Sequence, residues 1–276
     1  MSNFDYKMRN VIALYCDENN VSHILECIKS LIDGIKCPDE IVVTVKEGVK
    51  TPPSLKKKDR VYVNRIDQDY GELSAIVGLL DRYPEHDNVN IVYADSRCSY
   101  PVHILDVFDE SMDQLEAGIK SQKPDTDGFV FGCAGITMVE DKKRNLDREL
   151  EALTSDNDVK YELKTLLGYP NQNLTVDFLE SRGFVVFRRA LIKDKEFLSY
   201  LQKVYDPSRS SDILLSNYFS QQKFLKASIY NHIVNRPLLE KMRCFINIKE
   251  DQREKMDLYE KTIIDLRNLE CFHVYE

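Results

Sequence analysis

A chain of 276 residues with 43% apolar and 30% charged residues can bury a large core, and its composition is that of an ordinary soluble globular protein. A formal charge of −8 argues against a nucleic-acid backbone as main partner, since that needs a concentrated basic surface. No apolar run approaches the ~20 residues of a membrane helix, and the opening MSNFDYKMRN lacks a secretory layout, so a soluble, cytoplasmic protein is expected.

The chain begins with an apolar run of strand length, VIALYC from Val11 to Cys16, closed by Asp17-Glu18-Asn19-Asn20. Apolar residues then recur at helical spacing from Val21 to Ile35, with Asn20 placed to cap the start and Gly34 and Pro38 to end it. Glu40 to Val45 and Val61 to Ile66 read as β-branched strands. The Lys56-Lys57-Lys58 stretch between them reads as a solvated loop. Gly71 to Tyr83 has helical periodicity and Asn88 to Asp95 is the next strand. Alternation of this kind predicts a mostly parallel sheet with helices on both faces.

Val102 to Ile119 reads as a helix, and Gly128 to Val139 as one or two strands broken by glycines. Glu140 to Gly168 is charge-rich and reads as an excursion with some helix, beside the active face. Strand character returns over Thr175 to Arg189, helix over Ser210 to Gln222, and strand over Phe224 to Ile229. Met242 to Leu269 is charged and helical, with Met256, Tyr259, Ile263 and Leu266, and a shifted Ile264 and Leu269, available for an apolar stripe.

Seven scattered cysteines without a Cys-x-x-Cys pair read as reduced and mostly buried, and five histidines show no zinc-like spacing. The chain has no Gly-x-x-x-x-Gly-Lys loop, no Gly-x-Gly-x-x-Gly fingerprint and no Gly-x-Ser-x-Gly elbow, which removes the commonest kinase, dehydrogenase and hydrolase readings. In a parallel α/β sheet, ligands lie outside the carboxyl ends of the strands. Asp17, Asp67, Asp69 and Asp95 all fall at or just after such ends, although Asp also favours strand ends and turns for local reasons.

The most informative segment is IVYADSRCSYP, Ile91 to Pro101: an apolar strand ending in Asp95, then Ser96, Arg97 and a following Tyr100-Pro101. With Asp69-Tyr70-Gly71 before it, and with Gly183 to Arg189 (GFVFRR with an extra Val) and Ser211-Asp212-Ile213-Leu214-Leu215-Ser216 after it, the order resembles GT-A, family-2-like glycosyltransferases that use nucleotide-diphospho-sugars, including those of large DNA viruses and bacteria. The resemblance spans roughly residues 10 to 230. It implies a GT-A fold, a Rossmann-like, mostly parallel central sheet in an α/β/α sandwich, over residues 1–235. Residues 236–276 would be a helical extension packing on that domain or mediating a homodimer.

By the same resemblance, Tyr15 to Asp17 would face the base and ribose, with Asp67 or Asp69 holding the nucleoside and Gly71 next to them. Asp95 would occupy the first metal position, and Asp212 would be the base that deprotonates an acceptor hydroxyl. The implied partners are a nucleotide-sugar donor, UDP-linked by expectation, and a glycan, protein or lipid acceptor; the implied cofactor is Mn2+ or Mg2+. Inversion at the sugar carbon is the expected outcome, and host cytoplasm the expected location if the chain is viral.

The chain departs from the family pattern at Ser96 and Arg97, where acidic residues are usual, at Ala75 in place of Lys, and at Ser211 in place of the first acidic residue before Asp212. Ser181 and Phe184 stand where cleft glycines are expected. Arg97 therefore has two readings. It can neutralise phosphate as a metal substitute, since two charges ~4 Å apart are worth about 4 kcal/mol at an effective dielectric of 20. Alternatively it pairs with Asp95, blocks the metal and leaves a vestigial pocket, that of a non-catalytic binding or scaffolding module; the remaining alternative is a site that still uses metal through Asp95 and water. Asp212 is also a good first-turn helix residue, Glu180 a candidate acceptor contact, and Arg188 or Arg189 a candidate phosphate ligand.

Overall fold

The structure is a computed structural model and describes residues 8–100, 105, 125–132, 134–140, 161–167, 174–181, 184–228 and 252–274. The first half alternates as its sequence pattern requires: β1 (Arg9–Cys16), α1 (Ile24–Ile32), β2 (Glu40–Val45), β3 (Val61–Arg65), α2 (Ser74–Leu80) and β4 (Val89–Tyr93). After it come β5 (Gly128–Gly132), β6 (Ala134–Glu140), β7 (Tyr161–Leu167), β8 (Leu174–Thr175), β9 (Phe178–Leu179) and β10 (Val185–Arg188). The chain then forms α3 (Asp194–Val204), α4 (Ser211–Gln221), β11 (Phe224–Ser228) and α5 (Gln252–Asn268).

The main sheet has eight strands in the order β3-β2-β1-β4-β10-β5-β11-β8, and β7-β6-β9 form a small second sheet. The pairs β1–β2, β2–β3, β1–β4 and β5–β11 are parallel, whereas β10 runs antiparallel to both β4 and β5. Strand periodicity divides the core between two faces. Val11, Ala13 and Tyr15 of β1 pack with α2, α3, α4 and α5, while Ile12, Leu14 and Cys16 pack with α1. The expected mostly parallel sheet with helices on both faces is therefore the architecture found.

The order 3-2-1-4 contains a reversal: β2 and β3 extend to one side of β1, and the chain returns to place β4 on the other. The crevice between the carboxyl ends of β1 and β4 is thus a topological switch point, where a ligand meets two diverging loops. Asp17 follows β1 there, and Asp95 follows β4.

Several local expectations change. Asn20 does not cap α1: its Oδ1 accepts from Asp17 N at 2.9 Å and its Nδ2 donates to the Tyr15 carbonyl at 3.3 Å, so it builds the turn after β1 and the helix begins later. The excursion expected to contain some helix contributes β7, a strand pairing with β6. The helix expected over Val102 to Ile119 lies outside the described residues, Leu105 excepted. In α5, Tyr259, Ile263 and Leu266 form the buried stripe, while Ile264 and Leu269 are exposed.

Helix α3 was not predicted, although Phe197, Tyr200, Leu201 and Val204 give it one buried face. The buried guanidinium of Arg189 ties its start to the core, donating to the Tyr83 and Ile192 carbonyls, both at 2.6 Å, and to Asp194. That role accounts for Arg189 without a phosphate. Arg188 pairs across the sheet with Asn90, at the end of β4 away from Asp95, so it too stands apart from the switch point.

Lys226 on β11 is 1% exposed, with its Nζ bonded to Ser220 Oγ at 2.5 Å. Burial pushes its pKa down to about 8, opposed by the nearby Asp177. Below that value the folded state carries a desolvated charge. Above it the folded chain loses the proton while the unfolded chain keeps it up to ~10.4, so stability rises with pH across that window. Denaturant titrations at pH 7.5 and 9.5 should show wild type gaining on Lys226→Met by about 2 kcal/mol; a pH-independent difference would contradict the assignment.

Candidate functional site

A cleft of ≈ 240 Å³ opens at the switch point. Its walls include Tyr15 at the end of β1 and Asp17 just after it, Gly71 and Glu72 before α2, Asp95 and Arg97 after β4, Ser181, the segment from Tyr205 to Asp212, and Leu258 and Tyr259 of α5. Of the residues expected at the site, Tyr15, Asp17, Gly71, Asp95, Arg97 and Asp212 are brought together here. Asp67 and Asp69 are not part of the lining. Asp67 is exposed beyond β3. Asp69, also exposed, supports the lining by accepting from Tyr15 Oη at 2.8 Å, Gly71 N at 2.9 Å and Ser74 Oγ at 3.0 Å.

That arrangement explains the Asp-Tyr-Gly sequence. Gly71 has φ +57, and a Cβ there would meet Tyr205 Oη at 3.0 Å, so both backbone conformation and close approach favour glycine. Tyr70 is buried edge-on to Tyr205, with ring centroids 5.5 Å apart. Burial and the Asp69 carboxylate hold the Tyr15 phenol well above its usual pKa, and burial with Asp69 pushes Tyr205 up to about 12.

The loop after β4 is pinned by Tyr100. Its hydroxyl accepts from Asp95 N at 2.8 Å and donates to the Asp95 carbonyl at 3.1 Å, while its ring stacks on Phe184 with centroids 4.0 Å apart. Phe184 itself has φ +63, a left-handed conformation, at a position expected to be glycine. The Tyr of the Tyr-Pro pair thus fixes the backbone that presents Asp95.

The Asp95 side chain is 3% exposed and is held by the guanidinium of Arg97. Arg97 Nε donates to Asp95 Oδ1 at 2.9 Å and Nη2 to Oδ2 at 2.8 Å, a two-point fork, and Nη2 also reaches Glu72 Oε1 at 3.0 Å. The described residues do not fit a resident metal: the Asp95 carboxylate is shared with a guanidinium, and no cluster of three or more His, Cys, Asp or Glu suited to a metal occurs among the described residues. Beneath this loop, the hydroxyl of buried Tyr93 has no hydrogen-bond partner among the described residues, and burial first, then Glu72, Asp212 and Asp95, raise its pKa.

On the opposite wall, Ser210 caps α4 by accepting from Ile213 N at 3.4 Å, which puts Asp212 in the first turn. Asp212 Oδ1 accepts from Ser181 N at 3.0 Å and Oδ2 from Tyr259 Oη at 2.8 Å. Ser181, at a position expected to be glycine, therefore uses its backbone amide to orient Asp212. Glu180 lies alongside, with Oε1 3.3 Å from Tyr259 Oη.

Arg209 and Tyr259 were missed from the sequence. Arg209 is fixed by Nε to Asp265 Oδ2 at 3.1 Å and Nη1 to the Val204 carbonyl at 2.7 Å, and Thr262 accepts from Ser210 N at 2.9 Å. Helix α5 thereby braces the loop that carries Asp212. Among the described lining residues, the acidic Asp17, Glu72, Asp95 and Asp212 stand with the basic Arg97 and Arg209, whose N–H groups are directed donors for an anionic ligand.

No family model matches the chain, and neither does any curated protein sequence. Among solved structures, it is similar to S. aureus TarS 1-349 in complex with UDP-GlcNAc, at 14% identity over 95% of this chain and 73% of that one, with a TM-score of 0.43. A second structure of S. aureus TarS 1-349 gives 16% identity and a TM-score of 0.41 over 81% of this chain, which spans only 59% of that structure's length. The mannosyltransferase PcManGT from Pyrobaculum calidifontis, in complex with GDP-Man and Mn2+, gives 13% identity over 87% and 61% of the two chains, with a TM-score of 0.37. At such values the functional argument rests on the cleft itself. No helix among the described residues is long and apolar enough to cross a membrane.

Removing Arg97 leaves the Asp95 carboxylate buried beside Glu72, a cost lying between those of exposed and fully buried pairs. Arg97→Ala should lose about 2 kcal/mol in urea denaturation, and Asp95→Asn should relieve part of that loss in the double variant. A coupling energy near zero would show that the fork contributes nothing.

Proposed function

We propose that the chain is a nucleotide-sugar glycosyltransferase of the GT-A type in which a fixed arginine takes the place usually held by a metal. The observation that carries the reading is the assembly, at one switch-point cleft, of Tyr15 and Asp17, Gly71, Asp95 with Arg97, and Asp212, residues that lie far apart in the sequence but in the order of the GT-A motifs. In this reading the nucleoside lies along Tyr15, Asp17 and Tyr205, and the diphosphate turns toward Arg97. The acceptor hydroxyl approaches Asp212 from the side of Glu180.

The chemistry asks for two things: a cation where the leaving diphosphate gains charge, and a base opposite it. Arg97 would supply the first, because the Asp95 fork and the Glu72 contact aim the guanidinium without an entropic cost at the moment of reaction. Asp212 would supply the second, with the Ser181 amide fixing one oxygen. The expected donor is UDP-linked and the expected outcome inversion, both on the GT-A resemblance.

Calorimetric titration with UDP, GDP and their sugar conjugates, each in EDTA and in manganese, tests this. UDP binding that persists in EDTA, weakens about tenfold or more in Arg97→Ala and survives in Asp212→Asn is expected. Asp212→Asn should lower transfer about a hundredfold or more. Binding that appears only with manganese would overturn the role given to Arg97.

One observation favours a second reading, a non-catalytic binding module. Arg97 holds Asp95, and Tyr259 holds the oxygen of Asp212 that an acceptor would need. Donor binding without hydrolysis or transfer to any acceptor would select it.

A further inference from the structure

Asp212 already has a hydroxyl in the place where a base holds its nucleophile. A candidate base must stand within about 2.6–3.2 Å of the oxygen whose proton it takes, and a third group should orient the base. Tyr259 Oη donates to Asp212 Oδ2 at 2.8 Å, and the Ser181 amide orients Oδ1. Both Tyr259 and Asp212 line the cleft that also contains Arg97.

We propose that Tyr259 is a self-glycosylation site, the first acceptor of the sugar carried by the bound nucleotide; this rests on the glycosyltransferase reading above. The phenolic oxygen attacks the anomeric carbon and forms the new C–O bond. The bond from that carbon to the β-phosphate oxygen breaks, its electron pair leaving with the nucleoside diphosphate. The phenolic proton passes to Asp212. No oxidant or further reactant is required beyond the sugar nucleotide.

The placement is built rather than incidental. Helix α5 is tied to the loop before Asp212 through Asp265 to Arg209, Thr262 to Ser210 N and Lys261 Nζ to Ser208 Oγ at 3.2 Å. The Tyr259 ring is 1% exposed and its hydroxyl lies between Asp212 and Glu180, so its position is defined to within one hydrogen bond. Once a sugar is attached, the hydroxyl can no longer donate to Asp212, which frees the base for the next acceptor.

The test is intact-mass analysis of the full chain after incubation with UDP-GlcNAc, UDP-glucose or GDP-mannose, followed by peptide mapping, with donor binding measured in parallel. A mass increase of one glycosyl residue mapping to Tyr259, absent from Tyr259→Phe and from Asp212→Asn, is expected. Its half-time should not change over a tenfold dilution of protein, because nucleophile and base share one chain. Tyr259→Phe removes only the hydroxyl and keeps the packed ring, and Asp212→Asn retains the tyrosine, so loss in both cannot come from a common folding defect; thermal melts of each confirm the fold. Donor binding or hydrolysis without any adduct, or an adduct retained in Tyr259→Phe, overturns the proposal and leaves the glycosyltransferase reading standing. Absence of binding by every donor overturns both.

Discussion

A carboxylate buried at the carboxyl end of a central strand must be neutralised, and the cleft is organised around how Asp95 meets that requirement. Born costs make an unpaired ion there untenable, and the fork from Arg97 removes the penalty from within the same loop. The requirement propagates outward. Tyr100 pins the Asp95 backbone, Phe184 supports Tyr100 from a left-handed conformation, and Glu72 draws the start of α2 against the same guanidinium. Three separate segments thereby meet around one ion pair, and the site inherits its shape from them.

The opposite wall obeys a different constraint. Asp212 lies in the first turn of α4, where the helix dipole favours its charge, but its geometry depends on a helix 40 residues further along the chain. Helix α5 contributes Tyr259 to Asp212, Asp265 to Arg209 and Thr262 to Ser210, so the segment expected to be an extension is part of the cleft wall. Tight bracing of this kind suits a site whose chemistry relies on preorganised dipoles and charges, because little reorganisation is left for the reaction to perform.

Much of this was legible in the sequence where local periodicity and topology agree. Buried parallel strands such as VIALYC announce themselves as apolar runs, and acidic residues just past such strands mark the ligand edge of the sheet. The switch point itself appears only with the strand order of the folded sheet. What was not legible depends on pairing over distance. Asn20 resembles a helix cap by spacing, but Asp17 and the Tyr15 carbonyl compete for its side chain. Strands β8 and β9 span two residues each, too few to leave a period. Arg209 and Tyr259 join the site only because α5 returns to it, and no spacing within either segment records that contact. Helix α3 is a different case, since its apolar positions carry the full helical pattern and could have been read.

The central claim is that a fixed guanidinium, and not a resident metal, meets the diphosphate at the switch point between β1 and β4. A crystal structure of the protein with UDP, grown in EDTA, tests it most directly. The account predicts the nucleoside against Tyr15 and Asp17 and the diphosphate in hydrogen-bond contact with Arg97 while that residue keeps its fork on Asp95. A diphosphate reaching Asp95 only through an added manganese ion, with Arg97 turned away, or a nucleotide bound outside this cleft, would contradict it.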